Sequence, residues 1–416
     1  MSELPAKNKS SIVLVACIMF NLTIGVLYAW SVLTSWLTAP LAEGGFGWSA
    51  SQAGLPFSIA VITLATAMLV GGRIQDRIGP RWVVTAGGAL AGLGIILCGL
   101  VGNSVAGITV SFGVIAATGM GFGYGSVTPP ALKWFHPGQK GLISGLIVGG
   151  FGLSAVYFSP LTNALLERFG IETTFFILGS GIFIISTSCA QFVRNPPAGH
   201  VPPAPARLKQ AVKAAPAADF LWKEMFRTKR FWLMFAMFLF VSSTGLMIIG
   251  NVSRIAQLQA GIGEAAVLAM LASLLALMNT LGRVIGGQMS DKIGRINTLF
   301  VTFALQMANM AFFAFYQSLA GIILGIIIVG FGFGALLSVM PALCADQFGL
   351  KNFGLNYGIL FLAWGLSGFI APIMANVMYD TTGSFATAYA VCAAALAVML
   401  LLNFLLKKDI GKRSAA

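Results

Sequence analysis

The chain contains a succession of apolar runs, each about as long as a helix that crosses a lipid bilayer, and this feature most constrains its fold. The runs lie near residues 11–37, 50–72, 82–103, 105–131, 141–166, 171–193, 229–254, 264–288, 297–316, 318–343, 354–378 and 385–406. An α-helix of about 20 residues spans the hydrocarbon core. Because lipid offers no partner to backbone N–H and C=O groups, such runs must be helical. The sequence therefore predicts an all-α membrane protein with twelve transmembrane helices.

The charged residues are few and unevenly distributed. Only 9% of the 416 residues are charged, whereas 57% are hydrophobic, and a soluble domain carries about 25% charged residues. If the amino terminus is inside, 22 of the 25 lysines and arginines fall in the termini, the linker and the loops of one side. This asymmetry places both termini in the cytoplasm. It accounts for the net charge of +13 without a nucleic-acid partner.

Segments of the first half recur in the second half in the same order. The pairs are GRIQDRIGPR (72–81) with GQMSDKIGRI (287–296), GFGYG (121–125) with GFGFG (330–334), and GLISGLIVGGFGLS (141–154) with GLNYGILFLAWGLS (354–367). Their displacements of 215, 209 and 213 residues are nearly constant. This repeat predicts two pseudo-symmetric six-helix bundles, residues 1–193 and 229–416, joined by a Pro- and Ala-rich cytoplasmic linker at 194–228.

The loop between spans two and three resembles the signature loop of the major facilitator superfamily, which implies a transporter that works by alternating access. The motif reads Gly72-xxx-Asp76-Arg77-x-Gly79-x-Arg81, and its partial copy reads Gly287-xxx-Asp291-Lys292-x-Gly294. A carboxylate here can face helix amino termini and arginines, so we predict a conformational latch. Its residues are Gly72, Asp76, Arg77, Arg81, Asp291, Lys292 and Arg295. The alternative is a basic turn that only obeys the positive-inside rule.

Three further segments resemble narrower branches of that superfamily. WFHPGQKGLISGLIVGGFG (134–152) looks like the fifth-span signature of the monocarboxylate transporters and the same region of bacterial oxalate/formate antiporters. NTLGRVIGGQMSDKIGR (279–295) and NYGILFLAWGLSG (356–368) also resemble the antiporter branch. These resemblances imply a carrier of small organic anions in the bacterial cytoplasmic (inner) membrane that works as a monomer.

Arg283 is the one basic residue that lies well away from the ends of a predicted span. It lies eight residues before Asp291 at the cytoplasmic edge, hence about 12 Å deep, and none of the twelve acidic residues can be placed at this depth. An arginine there costs at least about 3 kcal/mol unless it meets water or a partner. A guanidinium binds a carboxylate through two parallel hydrogen bonds, so we predict that Arg283 anchors an anionic substrate. The alternatives are an arginine bonded to helix carbonyls and one that snorkels to the interface.

The remaining candidate substrate-binding residues surround this anchor. Asn279 lies one turn before Arg283 on the same helical face, where it can orient the guanidinium, bind a substrate hydroxyl or form an interhelical hydrogen bond. The predicted walls come from mid-span positions and repeated motifs, namely Tyr28, Tyr124, Phe333, Phe361, Trp364, Leu27 and Leu146. The tyrosines are expected to form hydrogen bonds because a buried hydroxyl needs a partner. Ordinary packing is the alternative for every aromatic ring.

The chain departs from both related branches at charged positions. Animal monocarboxylate transporters resemble it around Arg283 but carry an aspartate at the Asn279 position and a lysine near Leu27 or Tyr28. The oxalate branch carries a lysine where this chain has Trp364. A single cation with apolar walls suits a monocarboxylate better than a dicarboxylate. The departures put the animal proton-coupling scheme in doubt and favour a lactate-like anion over oxalate.

The sequence thus predicts a secondary transporter of short monocarboxylates, L-lactate or pyruvate-like, that moves its substrate together with a proton. An anion exchanger of the oxalate/formate type and a sensor built on a transporter fold are the alternatives. We expect no enzyme activity, cofactor or metal site. The only histidines, His136 and His200, lie in loops, and the five cysteines show no CxxC spacing.

Overall fold

A computed structural model describes residues 6–202 and 219–414, apart from the side chains of residues 6–8, 28, 29, 31, 50, 265, 369, 372, 373, 376 and 412–414. Helices account for nearly all of this part of the chain. The α-helices are α1 (Ala6–Ile24), α2 (Trp30–Thr38), α3 (Ala50–Ile78), α4 (Pro80–Leu100), α5 (Val105–Ile108), α6 (Ala117–Trp134), α7 (Lys140–Ala190), α8 (Trp222–Phe226), α9 (Lys229–Ala260), α10 (Ala265–Ile293), α11 (Arg295–Phe312), α12 (Leu319–Phe348), α13 (Phe353–Thr382) and α14 (Ala386–Ser414).

The helices agree with the predicted spans. Within the described residues, ten helical stretches are long and apolar enough to cross a membrane. One of them, Pro137–Ala190, contains two spans, because Gly170 leaves the helical conformation with φ 73° and ψ 179°. Helix α13 is 30 residues long and carries a single charged residue, Asp380, although it is not among the ten. The ten stretches give eleven spans when the two arms of α7 are counted separately, and α13 brings the number to the twelve predicted.

The first and fourth spans are less regular than the sequence suggests. A 3₁₀ segment, Gly25–Ala29, separates α1 from α2. The Ser154 hydroxyl donates to the Gly25 carbonyl at 2.9 Å, and a Cβ added to Gly25 would lie 2.0 Å from this hydroxyl oxygen. A side chain inserted against the backbone is a known cause of helix distortion. In the fourth span, a π-helical segment, Thr109–Ala116, connects α5 to α6.

The chain forms two compact units, and each unit is built from three separate segments of the sequence. The first comprises the described residues of Met1–Pro137, Gly150–Ala211 and Leu350–Ile359. The second comprises those of Gly138–Gly149, Val212–Gly349 and Leu360–Ala416. The start of α7 therefore packs within the second unit, and the start of α13 within the first. The predicted bundle boundaries follow the sequence repeat and stay a prediction.

Candidate functional site

Arg283 is buried within the second unit, and its contacts include hydrogen bonds to two neutral groups. Its exposed fraction is 1%, and that of Asn279 is 6%. The guanidinium donates through Nε to Asn279 Oδ1 at 3.1 Å and through Nη1 to the Val148 carbonyl at 2.6 Å. The predicted pairing of Asn279 with Arg283 is thus present as a hydrogen bond. Because both acceptors are neutral, these bonds orient the guanidinium without cancelling its positive charge.

The Val148 contact was not predicted from the sequence. Val148 precedes Arg283 by 135 residues, and a backbone carbonyl leaves no mark in a pattern of residue types. The contact gives a concrete form to the alternative in which Arg283 is a packing residue bonded to helix carbonyls. A carbonyl oxygen also occupies the kind of position that a substrate carboxylate oxygen would take beside a guanidinium. The contact therefore fits a structural role and a binding role equally.

Glycines set the position of the Arg283 backbone. A Cβ added to Gly145 of α7 would lie 2.2 Å from the Arg283 carbonyl oxygen. One added to Gly334 of α12 would lie 2.0 Å from the Asn279 carbonyl oxygen and 2.9 Å from the Arg283 nitrogen. Helix backbones can approach this closely only where side chains are absent. The site is therefore built at a tight crossing of α7, α10 and α12.

Gly334→Ala is expected to lower both the Tm and the affinity for substrate, because the added methyl group must push α10 away from α12. The measurement is thermal unfolding of the purified protein with and without ligand. Gly181→Ala is the matched control, since a Cβ there meets nothing within 4 Å. The control should leave the Tm unchanged or raise it slightly, because alanine is the better helix former. Equal Tm values for Gly334→Ala and the unmodified protein would contradict this account of the crossing.

Aromatic rings pack around the other predicted wall residues of the second unit. Phe361 and Trp364 are stacked with centroids 4.9 Å apart, and Phe238 contacts Phe361 edge-on at 5.9 Å. Phe333 is buried against α9, where a Cβ on Gly245 would meet its ring at 2.4 Å. Sequence reasoning missed Phe238, because nothing in the repeat distinguishes it from other phenylalanines of its span. Leu146, on α7, is half-buried.

The predicted wall residues of the first unit are partly described. Tyr124 is buried and contacts Phe151 edge-on at 5.0 Å. Leu27 is also buried. The side chain of Tyr28 lies outside the described residues. The structure thus brings together Arg283 with Asn279 and Phe361 with Trp364, and the substrate-binding role of all nine candidate residues stays a prediction.

Both copies of the loop motif place an aspartate at the start of a helix. Asp76 accepts hydrogen bonds from the N–H groups of Gly354 and Leu355, at 3.2 and 3.0 Å, where α13 begins. Asp291 accepts from Gly141 and Leu142, at 2.9 and 2.7 Å, where α7 begins. Carboxylates at such positions satisfy free N–H groups and complement the helix dipole. The local geometry that the latch hypothesis requires is therefore present twice, and its role in conformational change stays a prediction.

One helical turn before each aspartate lies a glycine that the packing requires. A Cβ on Gly72 would lie 2.2 Å from the Gly354 carbonyl oxygen, and one on Gly287 would lie 2.2 Å from that of Gly141. In each unit, the helix carrying the aspartate therefore meets the helix start backbone to backbone. The sequence repeat placed these two glycines at equivalent positions, and the structure gives them equivalent contacts.

The two copies differ in their ionic partners. Arg295 forms an ion pair with Asp291 and a second with Asp346 at 3.0 Å. Lys140 also pairs with Asp346, at 2.8 Å. The sequence analysis did not single out Asp346, and its position just beyond the predicted span 318–343 was the available signal. The second copy is thus a four-residue network of alternating charge.

The other predicted latch residues have different surroundings. Arg81 donates to Gln191 Oε1 through Nε at 2.9 Å and Nη2 at 2.6 Å. Arg77 and Lys292 are exposed and have no ion-pair partner within residues 6–202 and 219–414. Their surroundings match those expected for basic residues that only follow the positive-inside rule. Over the same residues, no cluster of three or more His, Cys, Asp and Glu side chains could hold a metal ion.

Residues 19–334 match the sequence model of the Major Facilitator Superfamily. The chain belongs to this superfamily. Among solved structures, the major facilitator transporter FucP, the fucose:proton symporter of Escherichia coli, is similar with a TM-score of 0.68 at 16% identity, covering 93% of this chain and 98% of that one. The likeness shows the fold. The prediction of an all-α, multi-pass membrane protein with the twelve-helix major facilitator fold is confirmed.

Other members of the major facilitator superfamily align over most of the chain. An uncharacterized MFS-type transporter of Escherichia coli (strain K12), YhjX, is 30% identical over 85% of this chain and 84% of its own length. The oxalate:formate antiporter of Oxalobacter formigenes is 29% identical over 86% and 81%. Monocarboxylate transporter 13 of Rattus norvegicus is 24% identical over 92% and 86%. These relatives are transporters, and this chain is similar to them along nearly its whole length.

Proposed function

We propose that this transporter carries short monocarboxylates, L-lactate or pyruvate-like, with Arg283 as the anchor for the carboxylate. The observation that carries the proposal is the buried, oriented guanidinium, whose hydrogen bonds to Asn279 and Val148 go to neutral oxygens. A charge within a span faces the bundle interior or an aqueous pathway and marks a substrate route. An anion presented to this guanidinium gains charge-assisted hydrogen bonds in a setting of low dielectric constant.

Two relatives favour the same substrate class. The names of the oxalate:formate antiporter and of monocarboxylate transporter 13 both refer to small carboxylates. Within that class, the single cation and the aromatic surroundings of Phe361 and Trp364 favour one carboxylate and a short organic tail over a dianion. The bulky walls also reduce the space for large substrates. Arg283 and Asn279 form the polar end of the proposed site, and the aromatic residues form its apolar end.

Proton symport is the proposed coupling. Moving one anion inward against a negative-inside potential costs about 2.3 kcal/mol per 100 mV. Movement of one proton with the anion makes the step electroneutral, and the proton can travel on the substrate itself. Exchange of two anions is the second candidate, favoured by the similarity to the oxalate:formate antiporter. In either case, the aspartate contacts of the latch break and re-form as access alternates.

The expected location is the bacterial inner membrane with both termini in the cytoplasm. The distribution of lysine and arginine supports this orientation. The latch then lies on the cytoplasmic side, where Asp76 holds the start of α13 and Asp291 holds the start of α7. We also propose that one chain is sufficient for transport.

The test is lactate uptake into liposomes that contain the purified protein and no internal anion. Symport should take up L-lactate and raise the pH of the weakly buffered external medium, since one proton enters with each anion. Vesicles preloaded with lactate provide the comparison, because an exchanger takes up lactate only when an internal anion can leave. Uptake that requires preloading and leaves the external pH unchanged would establish exchange. Failure to transport any short monocarboxylate under both conditions would refute the proposed substrate class.

A further inference from the structure

The buried polar groups of the second unit that lack a hydrogen-bond partner among the described residues include two that lie on α9 and α13. They are the indole N–H of Trp364, on a side chain with an exposed fraction of 7%, and the hydroxyl of Ser242, with 0%. Buried polar groups are nearly always satisfied, and leaving one unsatisfied costs about 1–3 kcal/mol. The pair is therefore a candidate for binding a ligand that supplies the missing partner.

The two groups lie on the same side of one aromatic contact. Helices α9 and α13 meet at Phe238 and Phe361, with ring centroids 5.9 Å apart. They meet again where the Arg254 guanidinium lies 4.4 Å from the centre of the Tyr379 ring. Residue numbers rise in both helices from the first contact to the second, so the helices run parallel. Ser242 is one turn beyond Phe238, and Trp364 is nearly one turn beyond Phe361, about 6 and 4.5 Å along their helices.

Their side chains share the face that forms this contact. Residues three or four apart lie on one side of a helix. Ser242 therefore shares the face of Phe238, and Trp364 shares that of Phe361, on which its ring stacks at 4.9 Å. The polar groups are thus neighbours above the Phe238–Phe361 contact, on facing sides of α9 and α13.

The depth of this pair in the second unit can be measured from the ionic layer at the helix ends. Arg230 donates to Gln347 at 2.8 Å, and the adjacent Asp346 pairs with Arg295, which also pairs with Asp291. Arg230 and Asp291 therefore lie in one layer. Ser242 is twelve residues from Arg230, which is about 18 Å along α9. Phe238 is eight residues from Arg230, so the Phe238–Phe361 contact lies about 12 Å from the ionic layer. Trp364, three residues beyond Phe361, therefore lies about 16 Å from that layer.

The guanidinium of Arg283 lies at the same depth. Its side chain reaches back to Asn279, which is twelve residues from Asp291, or about 18 Å along α10. Phe333 links the two regions. Its ring packs against Gly245, three residues beyond Ser242, and the next residue, Gly334, touches the backbone of Arg283. The cation and the two unsatisfied groups thus belong to one layer of the second unit.

We propose that Ser242 and Trp364 form a second polar subsite that binds a hydroxyl or keto oxygen carried by the carbon skeleton of the substrate. An indole N–H can only donate, so its partner must be an acceptor oxygen, whereas a serine hydroxyl donates or accepts. Both a hydroxyl and a carbonyl oxygen meet these requirements, and a hydrocarbon chain meets neither. The subsite makes the transporter selective for hydroxy- and oxo-monocarboxylates over unsubstituted acids. This inference rests on the proposed function, in which Arg283 holds the carboxylate.

The test is the binding of L-lactate, pyruvate and propionate to the purified full-length protein by calorimetry. Propionate differs from lactate only in lacking the hydroxyl. The unmodified protein should bind lactate and pyruvate about three- to tenfold more tightly than propionate, the ratio expected for one or two neutral hydrogen bonds. Trp364→Phe and Ser242→Ala should each reduce this preference towards one, because each variant weakens the binding of lactate and pyruvate more than the binding of propionate.

Stability separates a binding role from a packing role. Trp364→Phe removes an N–H without a partner, so the ligand-free protein should keep its Tm or gain slightly. Trp30→Phe is the control, because the Trp30 N–H donates to the Ala53 carbonyl at 2.9 Å. That variant should lower the Tm and keep the preference for lactate.

Three outcomes would overturn the subsite. The first is equal affinity of the unmodified protein for lactate and propionate. The second is an equal loss of affinity for lactate and for propionate in Trp364→Phe. The third is a preference for lactate that survives in both Trp364→Phe and Ser242→Ala. Each leaves the carboxylate anchor intact, since carboxylates still bind. If the unmodified protein binds none of the three acids, the proposed function fails together with the subsite.

Discussion

Arg283→Lys is expected to reduce lactate uptake into liposomes by about a hundredfold, because the variant keeps the charge but loses the planar fork that binds a carboxylate through two hydrogen bonds. Lysine also cannot reproduce the fixed bonds to Asn279 and Val148 that orient the guanidinium. A charged hydrogen bond contributes about 1.5–3 kcal/mol, and loss of one such bond accounts for an effect of this size. The measurement is the initial rate of uptake at equal protein density.

Arg254→Lys is the matched control for this variant. Arg254 pairs with Asp380 at 3.7 Å and lies over the Tyr379 ring, but its side chain is 41% exposed. An exposed pair of this kind contributes little, so uptake should remain close to that of the unmodified protein. Both variants should elute as single species with unchanged helical content. Normal uptake by Arg283→Lys would show that Arg283 is a packing residue bonded to a helix carbonyl, which is the alternative that the Val148 contact represents.

Asp291→Asn is expected to destabilise the protein by about 3 kcal/mol, the cost of removing one partner from a buried ion pair. The side chains of Asp291 and Arg295 are only 9% and 11% exposed, so neither charge is strongly screened by water. The variant also weakens the bonds from the Gly141 and Leu142 N–H groups, since asparagine offers one carbonyl oxygen in place of two carboxylate oxygens. Thermal unfolding in detergent measures the effect.

Asp76→Asn should have a smaller effect, about 1 kcal/mol, because its observed bonds go to backbone N–H groups and to Gln75. Asp380→Asn is the control for loss of an acidic charge, since Asp380 is 70% exposed and should tolerate the change. The expected order of Tm loss is Asp291, Asp76 and then Asp380. Equal losses at Asp291 and Asp76 would show that the four-residue network contributes nothing beyond the two N–H bonds.

Much of the fold could be predicted from the sequence, because the signals are local. Hydropathy located the spans, and the repeated loop motif located two aspartates that both bind helix starts. The irregularities were not predictable in this way. The 3₁₀ segment at Gly25–Ala29 accompanies the insertion of Ser154, a residue more than a hundred positions away in the chain.

In the candidate site, too, some features could be predicted from the sequence and others depend on tertiary packing. The residue types Arg283 and Asn279, their spacing of four and the depth of their span are properties of the sequence, since helical periodicity alone brings them together. The roles of Val148 and Asp346 depend on which helices are neighbours, and the glycine crossings at Gly145 and Gly334 decide that. The same is true of the wall at Trp364, whose lack of a hydrogen-bond partner follows from the packing around it.

Hydropathy, the repeat and the family resemblance were enough to predict a twelve-span transporter with duplicated aspartate motifs and one arginine deep within a span. Hydrophobicity and charge along the chain are sufficient for that, because the membrane imposes helix and depth on each segment separately. The tertiary structure was needed to show that Arg283 is bonded to a carbonyl of α7, that Arg295 links Asp291 to Asp346, and that the buried polar atoms of Trp364 and Ser242 lack hydrogen-bond partners among the described residues. Such contacts join residues distant in sequence, and they depend on close backbone approaches at glycine that hydropathy does not register.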